Sequence, residues 1–258
     1  MSFDADLIAC AQSVERGDPD RFAATMAAPV EVRKVLFPIY AFNVEVSRAP
    51  WVTQEAIIAE MRLQWWTDAL DEIATGSLVR RHEVVTSLAH VLDATAARQL
   101  QKAVQARLWD VYRDPFEDHA AFSKYIEDTA ASLLRAASQA LSGSMPDALT
   151  DLGYAAGLAQ FLRAVPELER QGRWPLVDGR PEAVRDLAAT GFDRLVKSRR
   201  ARASVPTQAR PIALAAWQAG PILKQAKSDP RRVVDGTLGT SEAAKKARLI
   251  WQAATGWW

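Results

Sequence analysis

Asp68, Asp71 and Glu72 stand three and four positions apart. That spacing places carboxylates on one face of a helix, where together they can offer oxygen ligands to a hard divalent cation. Asp114, Glu117 and Asp118 reproduce a second acidic pattern, D-x-x-E-D. The surroundings of both strings argue against metal chemistry. Pro115 interrupts any helix through the second string, so a loop that ends in a helix N-cap is the better reading. The first string points away from Met61 and Trp65 on a helical wheel, which makes it a solvated acidic face. His82, His90 and His119 lack the i, i+4 spacing of a helical zinc site, and Cys10 is remote from all three. No metal site is expected from these groups. The sequence contains no G-x-S-x-G elbow, no P-loop and no glycine-rich nucleotide fingerprint. Arg163, Arg170 and Arg173 remain, beside Glu167 and Glu169. They either grip phosphate oxygens with paired guanidinium donors or close ion pairs with those acids, and both readings stay open.

The elements that must position these residues are helices. Apolar residues recur at three- and four-residue spacing almost throughout, and alternating runs of β-branched residues are nearly absent, which predicts an all-α chain. Of the 258 residues 49% are hydrophobic and 24% charged, enough for a packed core and too apolar for disorder. The short connections favour one helical domain spanning 1–258. The net charge of +1 gives no general attraction to nucleic acid. A single cysteine suits a reducing compartment, and the residues from Met1 to Asp20 do not read as a signal peptide, so a cytoplasmic location is expected. No apolar run approaches the ~20 residues needed to cross a bilayer.

Asp18 and Pro19 form an N-cap and first-turn pair for a helix ending near Pro29. The next helix, Val30 to about Arg48, should bury Val32, Val35, Leu36, Ile39, Tyr40, Asn43 and Val44 despite Pro38. A third, about Gln54 to Ala74, should turn Ile57, Ile58, Met61, Trp65, Leu70 and Ile73 inward and stop at Gly76. Helices are further expected over Glu83–Leu92, Ala94–Tyr112, His119 to about Leu141, and Asp147–Val165, where Pro166 ends the run. Glu182–Ala201, Gln208–Lys227 and Ser241–Trp251 complete the set. Trp251, Trp257 and Trp258 either meet a membrane surface or a partner, or Trp251 packs in the core and the last two are unstructured; the second reading is the more ordinary.

Three strings carry a resemblance to the squalene/phytoene synthase family. Leu36-Phe37-Pro38-Ile39-Tyr40-Ala41-Phe42-Asn43 resembles the "LFALYAFN" stretch of its first active-site helix. Glu60-Met61-Arg62-Leu63-Gln64-Trp65-Trp66, followed by Asp68-Ala69-Leu70, is similar to the "EMRLQWWRDAL" stretch of one bacterial and mitochondrial branch. Leu162-Arg163-Ala164-Val165-Pro166-Glu167-Leu168, with Gly172-Arg173, resembles the "LRDVGED…GR" segment of the second active-site helix. The resemblance implies an isoprenoid synthase-type helical bundle with a central apolar cavity. It also implies a reaction that joins two isoprenyl diphosphates, with carboxylates on two facing helices holding Mg²⁺ against the leaving diphosphate.

Against that pattern this sequence lacks the acids. The first aspartate cluster falls on Ser47, Arg48 and Trp51; the second falls on Ala164 and Leu168, with Glu167 the one acid left. The resemblance therefore implies a non-catalytic relative without a cofactor, similar to the mitochondrial branch that acts in complex I assembly, serving as an assembly or scaffold factor or an isoprenoid-lipid binder. Its vestigial pocket would be lined by Tyr40, Asn43, Val44, Ser47, Tyr125, Thr129, Gln160, Phe161, Arg163, Glu167 and Arg173. The partners implied are an isoprenoid or quinone-like lipid and respiratory-complex subunits, with peripheral contact to an inner membrane and no nucleic acid. The alternative is an active prenyltransferase that recruits Mg²⁺ through Glu45, Glu127, Asp128 or Glu167.

Overall fold

A computed structural model describes residues 4–53, 55–112 and 114–258. Among them every regular element is helical. α1 (Ala5–Gly17) and α2 (Pro19–Met26) start on Asp4 and Asp18, whose side chains accept from the amides of Leu7 and Arg21. α3 spans Val30–Arg48 and α4 Ala56–Thr75, the latter closed by Gly76 at φ 69°. α5 (Glu83–Val91), α6 (Ala94–Ala106) and α7 (Leu108–Tyr112) follow. α8 (His119–Ile126) runs through a π turn (Glu127–Ala131) into α9 (Ser132–Ser142). α10 (Asp147–Arg170), α11 (Pro181–Arg200), α12 (Ala219–Ser228), α13 (Arg231–Val234) and α14 (Glu242–Thr255) complete the chain, with a 3₁₀ segment at Arg210–Ala216.

α3 and α10 form the middle of the bundle. From Val35 to Phe42 every residue of α3 is buried, as a helix enclosed on all sides must be. α10 approaches the π turn very closely: a Cβ added at Gly153 would lie 2.4 Å from Ala131 Cα, and one at Gly157 2.4 Å from Ala130 Cβ. The two glycines and the extra residue of the π turn let these backbones nearly touch, and π turns often occur at functional sites. The turn's outer side is tied down as well, since Arg194 of α11 bridges Glu127 at 2.5 Å and Asp151 at 2.8 Å.

Several expectations need correction. α4 does not bury Ile57 and Met61, which are 65% and 67% exposed; its inner face is Ala59, Leu63, Trp66, Ala69 and Leu70. Gln54, the expected start of α4, lies outside the described residues, as do the first three. α10 continues past Pro166 for one more turn. Proline there forgoes a single amide bond, while Val165 and Leu168 on either side are buried. The expected helix over Ala94–Tyr112 breaks at Arg107, and that over Gln208–Lys227 begins as a 3₁₀ segment. α1 was not anticipated, although Leu7, Cys10 and Val14 form its buried stripe. Trp251 does not pack in the core: it is 55% exposed, whereas Trp258 is only 5% exposed. Among the described residues no helix is long and apolar enough to cross a membrane.

Candidate functional site

A cavity of about 340 Å³ opens between α3, the α8–π segment and α10, closed at one end by the start of α2 and by α7. α3 contributes Asn43, Val44 and Ser47, and Trp51 follows just beyond it; α8 and the π turn contribute Tyr125, Ile126 and Thr129; α10 contributes Gln160, Phe161, Ala164 and Leu168. Spacings of three and four residues put each set on one helix face.

The structure therefore brings together seven of the residues expected to line a pocket: Asn43, Val44, Ser47, Tyr125, Thr129, Gln160 and Phe161. The other four lie elsewhere. Tyr40 is buried within α3, its ring facing Arg21 at 5.3 Å. Arg163 reaches Asp20 at 3.1 Å. Glu167 turns outward, half exposed, and pairs with Arg170 at 2.5 Å. Arg173 is buried beneath the cavity rim, against Trp51 and Trp109. The two open readings of the arginine group thus divide: Arg163 and Arg170 close ion pairs, and Arg173 packs on indole rings.

Sequence reasoning missed the polar floor. Arg107 Nη1 donates to Asp110 Oδ2 at 3.0 Å and to Tyr125 Oη at 2.8 Å, and Tyr125 Oη donates to Asp110 Oδ1 at 3.1 Å. Arg173 Nη2 donates to the backbone oxygen of Asp110. Burial pushes the Tyr125 phenol far above its ordinary value, against the opposing pull of Arg107, so it stays a neutral donor. Asp18, the other acid on the cavity wall, accepts from the Arg21 amide and lies 3.3 Å from the Arg21 guanidinium. The i, i+3 spacing of Arg107 and Asp110 hints at their ion pair, but their partner Tyr125 is 15 residues and more away.

Ser47, Trp51, Ala164 and Leu168 all line this cavity, and none of them is a carboxylate. The two acids that do line it are each engaged by an arginine. This donor set does not fit a cluster of Mg²⁺ ions, which requires several unengaged anionic oxygens. The acids named for the enzymatic alternative do not line the cavity. Glu127 binds Arg194, Asp128 binds Lys124, Glu167 binds Arg170, and Glu45 sits in an outer groove beside Arg48. Among the described residues, no group of three or more histidine, cysteine, aspartate or glutamate side chains is placed to hold a metal ion. The expected loop at Asp114–Glu117 is observed, and Asp118 caps α8 by accepting from the Ala121 amide.

A family model described as Squalene/phytoene synthase matches residues 14–178. A relative from Drosophila melanogaster, named NADH dehydrogenase (ubiquinone) complex I, assembly factor 6 homolog, is 28% identical over 280 residues, covering 95% of this chain and 82% of the relative. The protein named NADH dehydrogenase (ubiquinone) complex I, assembly factor 6 from Bos taurus is 24% identical over 172 residues, or 61% of this chain and 48% of that protein. The match thus spans about half of the bovine relative. Among solved structures, a dehydrosqualene synthase in complex with ligand superposes with a TM-score of 0.78 at 15% identity, covering 97% of this chain and 95% of that one. Squalene synthase HpnC from Alicyclobacillus acidocaldarius superposes with a TM-score of 0.69 at 17% identity, covering 86% of this chain and 93% of that one. These likenesses show the isoprenoid synthase fold.

Proposed function

The chain belongs to the squalene/phytoene synthase family, and on that premise we propose that it is a non-catalytic member that acts as an assembly factor for a respiratory complex. The reading rests on the motif resemblance, which carries the family's acids onto Ser47, Trp51, Ala164 and Leu168, and on one observation that supports it: these four residues line the cavity and supply no anionic oxygen. Ionising a prenyl diphosphate leaves negative charge on the departing group, and without metal ions the cations that line the cavity among the described residues, Arg21 and Arg107, are each already held by a carboxylate. The curated relatives named for complex I assembly point to the same role and to respiratory-complex subunits as the binding partners.

The cavity itself favours a second role within the same reading. Val44, Ile126, Phe161 and Leu168 give it an apolar wall, and Thr129, Asn43 and Gln160 a few polar atoms. That lining suits an isoprenoid or quinone-like lipid held without reaction. The test is incubation of the purified protein with farnesyl and geranylgeranyl diphosphate and Mg²⁺, followed by assay of diphosphate release. No release is expected, together with co-purification of respiratory-complex subunits from cells expressing a tagged chain. Measurable turnover would overturn the proposal.

A further inference from the structure

α14 is built the wrong way round for a helix of a water-surrounded domain. Its inner side consists of Lys245, Leu249 and Gln252, of which Gln252 alone is fully buried. On the opposite side, facing solvent, a continuous stripe of Ala243, Ala247, Ile250, Trp251 and Ala254 follows the i, i+4, i+7, i+8, i+11 spacing of one helix face. Ile250 is 70% exposed and Trp251 55%. Lys246 and Arg248, both exposed, lie on the two edges of this stripe. Such a helix of 14 residues gains little from the small surface it buries here, and one this short is marginal in water without a partner for its apolar face.

The neighbouring surface continues the pattern. Trp257 is 49% exposed, with the Arg202 guanidinium 4.0 Å from its ring centre. Arg199 donates to the backbone oxygen of the buried Trp258 at 2.6 Å, which fixes this corner to the end of α11. Burial and then the nearby Arg248 hold the Arg199 guanidinium below its ordinary value, so the cations of the two helices are close neighbours. The wider charge distribution is as uneven. Residues 197–258 contain twelve Lys and Arg against three Asp and Glu, while residues 1–196 contain twenty against twenty-eight. A nearly neutral total therefore hides a strongly cationic C-terminal quarter.

We infer that α14 and the Trp257 corner dock on an anionic phospholipid bilayer, with Ile250, Trp251 and Trp257 entering the headgroup region and Lys246, Arg248 and Arg202 meeting lipid phosphates. Indole rings favour the membrane interface, and an exposed apolar stripe edged by cations is the signature of a helix lying in its plane. The acidic remainder of the surface, repelled by the same headgroups, orients the molecule with this corner toward the bilayer. Nucleic acid would use the same cations and has no use for the exposed Ile250.

The test is co-sedimentation of the full chain with vesicles of phosphatidylcholine alone, and with vesicles in which phosphatidylglycerol replaces part of it. Binding is expected to the anionic vesicles and to fall sharply at about 0.5 M salt, where charges are screened within a few ångströms. Ile250→Glu combined with Trp251→Glu should weaken binding by at least about tenfold, the loss of two interfacial apolar side chains. Its melting temperature should fall by a few degrees at most, since both side chains are more than half exposed. Lys246→Glu with Arg248→Glu should also weaken binding to anionic vesicles. Failure of the unaltered chain to sediment with anionic vesicles would overturn the inference. So would undiminished binding by the Ile250/Trp251 variant, or binding to duplex DNA that matches vesicle binding and ignores that variant.

Discussion

The guanidinium carbon of Arg173 lies 4.3 Å from the centre of the Trp51 indole. An aromatic face thus lies beside a buried cation, and the cation-π attraction holds the α3–α4 connection against the segment after α10.

Replacing Trp51 by Ala should destabilise the protein by about 1–2 kcal/mol, because Arg173 then loses the nearer of its two indole neighbours in a partly desolvated site. Trp51→Phe should recover much of the loss. Urea denaturation followed by circular dichroism reads both changes. Equal midpoints for Trp51→Ala and the unaltered chain would show that the stack contributes nothing.

How much of this was legible beforehand differs from element to element. α3 could be read almost to the residue, since Pro29 opens it and the run from Val35 to Phe42 is apolar throughout. The inner face of α4 could not, because Ile57, Met61 and Trp65 compete with Ala59, Leu63 and Trp66 at the same helical spacing. Periodicity cannot choose between two apolar faces; the packing of α6 against α4 does. Pro166 misled for a related reason: a helix interior rejects proline on local grounds, and tertiary burial of Val165 and Leu168 overrides that preference. Of the expected pocket residues inside the matched strings, Asn43 lines the cavity, while Tyr40 and Arg173 are buried beside it. Glu167 and Arg163 instead followed their nearest opposite charges outward, Arg170 and Asp20. The Arg107–Asp110–Tyr125 floor joins a local i, i+3 pair to a tyrosine of a later helix, and that long-range step left no local pattern to find.

Stability should fall in alkali. Burial raises the Cys10 thiol from 9.0 to about 12 and the Tyr40 phenol from 10.0 to about 12. Both groups are neutral when protonated, so the folded state holds these protons more tightly than the unfolded chain does. Their contribution is complete below pH 9 and is lost as the pH rises from 9 toward 12. Guanidinium melts from pH 7 upward should show a flat midpoint to about pH 9 and a decline beyond it. A disulfide reagent at pH 8 should leave Cys10 untouched in the native protein and label it on unfolding. Fast labelling of the native chain would contradict its complete burial.

Putting acids back separates cavity geometry from cavity chemistry. Ser47, Trp51, Ala164 and Leu168 line one cavity from two helices, so aspartates at all four would crowd like charges there. The fourfold variant should melt below the unaltered chain in the absence of metal. Added Mg²⁺ should raise its melting point, with about 2.7 kcal/mol of stabilisation at a hundredfold excess over the dissociation constant. Mg²⁺ should leave the unaltered chain unmoved, and Glu167→Gln should change neither result, because Glu167 points away from the cavity toward Arg170. A magnesium shift in the unaltered chain would mean that oxygens other than these four already hold the ion. Its absence in the fourfold variant would mean that the two helices no longer hold those positions around a common centre.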